Sequence, residues 1–314
     1  MSERLLAGLV VVPFLLGAAV APVDKARVVF SFRDSDIVES SGLVVVDGLV
    51  VTTNDSGDTG RVFTVDPVTG KTVGVTAWAD EPTDVEALAP DGHGGVWVGD
   101  IGDNTESRES VQIADLAVGG TGGDVDPEVR DLTYPDGAHD AETLMRNPTT
   151  GRLYVASKGV LGGELFEVPE SGNGRMRALG DVLPIATDGA FLPDGKHFVV
   201  RNYGMAAVYA FPSLEKVDQF QLPDQQQGEG LAVDTDGSLL LSSEGLHSEV
   251  LRVSLPTSTA SPSPSASPST HTESREDSEL PETTETQRSA WPWFLGGLIG
   301  LGCLLVLIRS LRRR

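Results

Sequence analysis

Between residues 27 and 256 the apolar positions fall in short runs or alternate with polar ones, and Gly or Pro interrupts them every few residues. That periodicity belongs to strands and argues against helices. One phrase of the pattern recurs. An acidic residue precedes a small-then-apolar step at Glu39-Ser-Ser-Gly-Leu43, Asp84-Val-Glu86-Ala-Leu88, Asp140-Ala-Glu142-Thr-Leu144, Asp188-Gly-Ala-Phe191 and Glu229-Gly-Leu231. A turn follows each time, at Asp47-Gly48, Asp91-Gly92, Asn147-Pro-Thr-Thr-Gly151, Asp194-Gly195 and Asp236-Gly237. Asp-Gly turns between apolar runs are strong hairpin signals.

Behind each turn lies an apolar run (LVVTTN, VWVGDI, LYVASK, FVVRNY, LLLSSE), then a polar loop and another strand (VFTVDP, VQIADL, LFEVPE, AVYAFP, VLRVSL). A fourth, more exposed strand completes the first four units: TVGVTAW, VRDLTY, RMRALG and KVDQFQL. The units open at intervals of roughly 40 to 55 residues, the range of four-stranded propeller blades. The fifth unit stops at Pro256 without its fourth strand, while RVVFSFR at residues 27–33 stands alone before the first. Pairing the two would close the ring and cover both exposed edges. The pattern therefore predicts an all-β fold, a five-bladed β-propeller whose N-terminal strand completes the last blade. A six-bladed ring, with extra strands hidden around GGTGGD in the second unit, is the alternative. A sandwich does not require such regular repetition.

Both ends of the chain differ from this middle. Residues 1–21 carry one Arg, an apolar stretch and Ala19-Val20-Ala21, the layout of a secretory signal peptide; an uncleaved N-terminal anchor is the alternative. Residues 257–290 are rich in Ser, Thr, Pro and Glu and lack the apolar residues that offset ordering entropy, so they read as a disordered stalk. Residues 291–308 hold no charge and would span about 27 Å as a helix, enough for one membrane crossing. Trp291 and Trp293 suit the outer interface, and Arg309, Arg312, Arg313 and Arg314, in the basic tail at 309–314, suit the cytoplasmic side. The expectation is a single-pass protein of the cell membrane with its propeller outside. Leu280-Pro281-Glu282-Thr283-Thr284 resembles a sortase sorting signal with Thr where that motif has Gly, which makes cell-wall attachment the alternative.

The formal net charge is −23 at pH 7. Such a field repels nucleic acid and anionic headgroups and favours cations. The single cysteine, Cys303, lies in the apolar span, so the blades contain no disulfide.

In a four-stranded blade the innermost strand starts on the same face as the loop between the second and third strands. Two sets of residues should therefore meet at one mouth of the ring. The inner-strand acids are Glu39, Asp84, Glu86, Asp140, Glu142, Asp188 and Glu229; the loops bring Asp55, Asp58, Asp100, Asp103, Asn104, Ser157, Lys158, Arg201, Asn202, Ser243 and Glu244. Carboxylates crowded together must raise one another's pKa or recruit a cation. An oxygen-rich set without cysteine suits a hard ion such as Ca²⁺. The alternative for any single acid is a structural clip that accepts backbone N–H bonds. His139, next to Asp140, is the histidine placed to join the mouth. No nucleophilic triad, P-loop or dinucleotide fingerprint is present.

Asn54-Asp-Ser-Gly-Asp58, Gly99-Asp-Ile-Gly-Asp-Asn104, Arg108 and Tyr134-Pro-Asp-Gly-Ala-His-Asp-Ala-Glu-Thr-Leu144 resemble motifs of exported bacterial propeller proteins in the WD40-like and esterase-like phytase-type group. The resemblance covers residues 27–256. For the phytase type it implies phosphate-ester hydrolysis with several Ca²⁺ ions on an acidic face, and a set of basic residues that hold phosphate, for which Lys158, Arg201 and Arg108 are the candidates. Glu142 and His139 would then be the catalytic candidates, with Asp84, Glu86 and Asp140 as further ligands or base. Three functions follow: a surface propeller binding an extracellular ligand or protein through a Ca²⁺-bearing face, a Ca²⁺-dependent ester hydrolase, and a structural or adhesive module.

Overall fold

A computed structural model describes residues 21–22, 26–55, 57–79 and 81–256. The chain divides into two compact units, Met1–Ala260 and Ser261–Arg314, and the described residues belong to the first. The body of the signal-like leader, the stalk, the sorting-like motif and the apolar span at 291–308 lie outside them. Among the described residues no helix is long and apolar enough to cross a membrane.

The described residues form five antiparallel blades, each ordered from its innermost strand outward. The first blade is Ser40–Val46, Leu49–Asn54, Arg61–Asp66 and Lys71–Trp78; the second is Val85–Pro90, Gly95–Asp100, Val111–Ala117 and Glu128–Thr133. The third is Ala141–Arg146, Leu153–Ser157, Gly163–Glu167 and Arg177–Val182; the fourth is Asp188–Phe191, His197–Arg201, Met205–Ala210 and Glu215–Gln221. The fifth takes Gly228–Val233, Leu239–Ser243 and Glu249–Val253 from the end of the propeller and Arg27–Ser31 from its beginning. Arg27 pairs with Arg252 and Ser31 with Glu249, which closes the ring as the unpaired edges require.

The ring has five blades, not six. The glycine-rich stretch of the second unit supplies only Gly123–Val125, which pairs parallel with the outermost strand of the first blade. Gly174–Arg175 and Ala21–Pro22 add to the second and fourth blades in the same way. All three lie on outer edges and cover exposed backbone.

The core is divided among the blade interfaces. One apolar cluster packs the first blade on the second (Val44, Val51, Leu88, Val98), another the second on the third (Ile113, Leu132, Leu144, Phe166). The others join third to fourth (Tyr154, Leu165, Phe191, Phe198), fourth to fifth (Val199, Phe220, Leu231, Leu241) and fifth to first (Phe30, Leu240, Leu43, Phe63). Each fully buried side chain of this size contributes about 1.5–3 kcal/mol. Near the axis the inner strands approach so closely that Gly42 has no room for a Cβ, which would stand 2.6 Å from the backbone N of Leu88. The Asp47-Gly48 hairpin turn has φ of 49° and 78°, the paired left-handed conformation that matches strand twist.

Candidate metal centre

Four of the five blades share an irregularity where the innermost strand begins. Its register with the second strand shifts between Ser40 and Leu43, Val85 and Ala87, Ala141 and Thr143, and Gly228 and Leu231. A β-bulge re-aims the residue it carries. Those residues are Ser41, Glu86, Glu142 and Glu229, all buried. Ser41 Oγ lies 2.9 Å from Glu86 Oε2 and 3.4 Å from Glu229 Oε2, so residues of three blades meet at the axis. Ser41 stands in the first blade where its neighbours have Glu. Aligning the repeats on Leu43, Leu88, Leu144 and Leu231 would have singled it out.

The fourth blade has no such shift, and its acid behaves differently. Asp188 pairs directly with Arg201 across the first two strands. It is wholly buried and accepts the backbone N–H groups of Gly189 (2.7 Å) and Leu231 (2.6 Å). Arg201 is wholly buried too, donating to the carbonyls of Gly230 (3.1 Å) and Ser242 (3.4 Å) and to Gln225 Oε1 (3.3 Å). Burial raises the Asp188 carboxyl well above its ordinary range and lowers Arg201 to about 10. The pair clips the fourth blade to the fifth. Arg201 has no exposed surface for a substrate phosphate to reach.

Around the axis the acids are crowded. Asp55, from the first blade's loop, can offer a carboxylate oxygen within 4.8 Å of oxygens from both Asp84 and Glu86. Burial, then the charge of Glu142, Asp55 and Asp84, pushes Glu86 up to about 10. Burial, then Asp55 and Asp140, pushes Asp84 up to about 6. Glu142 is raised to about 7 and Glu229 to about 8, in both cases chiefly by burial. Lys158 is bonded to Glu142 Oε1. Burial would lower its ammonium, but Glu142 outweighs that and holds it above its ordinary value. Glu244 joins the group, its carboxyl also raised by burial, and its backbone forms an isolated β-bridge with Glu39 between the neighbouring fifth and first blades. Two oxygens here, Asp84 Oδ1 and Glu142 Oε2, are buried without a hydrogen-bond partner. Farther along the axis the inner strands turn apolar, lining a cavity with Leu43, Leu88, Leu144 and Leu231.

The remaining loop residues are committed elsewhere. Asp58 accepts from Arg61 Nε at 2.9 Å and Asn54 Nδ2 at 2.8 Å, and Arg61 and Asn54 hold it below the ordinary carboxylate range against the opposing effect of burial. Asn54 Oδ1 accepts the N–H groups of Val38 and Glu39, and Asp100 does the same for Thr83 and Asp84 in the next blade. Arg108 donates to Asp100 Oδ1 and the Gly102 carbonyl, both at 2.8 Å. Asp103 closes its own loop by accepting from Ser107 N and Arg108 N. Asp140 accepts from Asp103 N at 2.9 Å, and Asn104 is exposed. His139 lies with Asp136 and Glu164, whose donor atoms come within 4.8 Å of one another and could hold a separate ion. Its Nε2 is 2.9 Å from Asp136 Oδ1, and its ring packs on Tyr134 and Phe166.

No protein-family model matches the sequence, and no curated protein matches it. Among solved structures, the chain is similar to a glutaminyl cyclase of Myxococcus xanthus, with a TM-score of 0.49 and 14% identity over 74% of this chain and 99% of that one. Streptogramin B lyase gives 0.40 and 11%, covering 68% and 64%; hydrazine synthase of Kuenenia stuttgartiensis gives 0.40 and 16%, covering 67% and 57%. The strand pairing by itself establishes the five-bladed ring.

Proposed function

We propose that this propeller binds a hard divalent cation, Ca²⁺ by its donor chemistry, at the mouth of the ring, and presents it to an extracellular ligand. Asp55, Asp84 and Glu86 would hold the ion, with Glu142 beside them. The observation that carries this reading is the pair of orphaned oxygens, Asp84 Oδ1 and Glu142 Oε2, in a cluster whose members raise one another's pKa. Buried acceptors without donors are costly unless a cation or a proton reaches them. The set contains neither imidazole nor thiolate, which favours Ca²⁺ over zinc or copper. The signal-like leader and the apolar span at 291–308 support a membrane-held protein with its mouth outside. Calorimetric titration of the full-length chain with Ca²⁺ tests the reading. Binding should be lost in Asp84→Asn, and equal affinity in wild type and variant would overturn it.

A second reading, hydrolysis of phosphate or other esters, draws on one observation. Glu142 is a buried carboxyl brought to about 7 beside a lysine, the range in which an acid–base group works at neutral pH. The ion would supply charge stabilisation, and Glu142 would hold or pass the proton. An ester panel with Ca²⁺ would show turnover that disappears in Glu142→Gln; no turnover with any ester leaves the binding reading alone.

A further inference from the structure

The rim of the mouth has a chemistry of its own. Five large apolar side chains remain exposed around it: Val38 (41%), Val160 (77%), Leu161 (101%), Tyr203 (39%) and Leu246 (56%). The other exposed apolar side chains among the described residues lie on outermost strands, or, for Val68, on a turn at the opposite face. Val160 and Leu161 sit in the loop of the third blade that also carries Lys158, whose ammonium is bonded to Glu142. Tyr203 occupies the same loop of the fourth blade, its ring 5.7 Å from Lys158 Nζ. Leu246 follows Glu244 in the fifth blade, and Gly245 N donates to the Val38 carbonyl at 2.8 Å, which sets Val38 beside it.

A single exposed leucine means little. Apolar groups gathered around a desolvated charged pocket are the anatomy of an interface, with a buried anchor and apolar flanks. Charge decides the occupant. The chain carries −23, and the carboxyls of the mouth outnumber the one ammonium bonded among them. An anionic membrane is repelled by that field, whereas a cationic side chain is drawn in. We propose that mouth and rim together dock a polypeptide segment bearing a lysine or arginine between aliphatic residues. The cationic head enters among Glu86, Glu142 and Glu229, and the aliphatic flanks cover Val160, Leu161 and Tyr203. This rests on the mouth being a cation site, and it makes the basic segment an alternative occupant that competes with Ca²⁺, distinct from any ligand to which the bound ion is presented.

The test uses the full-length chain in neutral-lipid nanodiscs and fluorescence polarisation of labelled Gly-Leu-Lys-Leu-Gly, Gly-Leu-Glu-Leu-Gly and Gly-Ser-Lys-Ser-Gly. The first peptide should bind at least tenfold tighter than the others and be displaced by Ca²⁺. The double variant Val160→Ser, Leu161→Ser should weaken it about tenfold while calorimetric Ca²⁺ binding is unchanged. The proposal is overturned if no peptide binds, if the glutamate peptide binds equally well, if the rim variant has no effect, or if the protein pellets with phosphatidylglycerol vesicles instead. Ca²⁺ binding without peptide binding sinks the docking surface alone. Peptide binding without Ca²⁺ binding sinks the metal reading alone.

Discussion

Replacing Glu86 by Gln should make the metal-free protein more stable and the metal-loaded protein less so. Glu86 is 2% exposed, and its folded-state carboxyl titrates near about 10 against an ordinary 4.5. A group raised in the folded state gives its full stability below the unfolded pKa and loses it as pH climbs toward the folded one. At pH 7 the folded carboxyl still holds its proton while the unfolded chain has released it. The gap between 4.5 and 7 corresponds to about 3 kcal/mol at 1.36 kcal/mol per unit. The charges of Glu142, Asp55 and Asp84 also act on Glu86, so the effect is spread over the cluster and we expect about 1–3 kcal/mol, or roughly 3–10 °C in a propeller of this size. Glutamine keeps the shape and has no proton to lose. In EDTA at pH 7, Glu86→Gln should therefore melt above wild type, and the two should converge at pH 4. With Ca²⁺ at a thousandfold excess over Kd, wild type gains about 4.1 kcal/mol and the variant much less, so the order reverses. Differential scanning calorimetry across pH, with and without chelator, reads both effects. A variant that melts below wild type in EDTA, or that gains as much from Ca²⁺, would refute the reasoning.

Two further outcomes follow from the clips and the axis. Arg201→Met strands the buried carbonyls of Gly230 and Ser242 and removes a charge that acts on buried Asp188, and should cost about 1–3 kcal/mol in urea unfolding, while Asp188→Asn with Arg201→Met should recover part of it. Gly42→Ala drives a methyl into the backbone N of Leu88 and should cost about 1–3 kcal/mol; an unchanged denaturation midpoint would mean the first two blades can separate without penalty.

The blades were legible because each strand carries its own signal. LVVTTN is the observed Leu49–Asn54, and the lone strand at residues 27–33 was assigned by the need to cover an edge. The short outer strands were not legible: Gly123–Val125 has no apolar alternation, and its pairing depends on where a loop falls against another blade. At the site, the strand bookkeeping gathers Asp55, Asp84, Glu86, Glu142 and Glu229 together with Glu39, Asp58, Asp100, Asp103, Asp140 and Asp188, and residue type does not reveal which of these acids face the axis. The register shift decides that, and it separates Glu86, Glu142 and Glu229 from Asp188, which reads the same in sequence. The strand pattern puts Arg201 at the mouth with Lys158, as a candidate to hold phosphate, but it cannot show that the side chain is wholly buried. Its carbonyl partners Gly230 and Ser242 come from the next blade, a relation no local pattern encodes.

The shared fifth blade has a consequence for biogenesis. Val28 pairs with Leu251, so the strand that completes the last blade is synthesised before any other blade strand and waits for nearly the whole ring before it finds its partner. Until then the nascent chain is an open crescent with two sticky borders. Pairings between such distant residues form slowly, and unpaired borders invite strands from other chains. Productive closure therefore requires that Arg27–Ser31 stay clear of a wrong neighbour until Glu249–Val253 arrives.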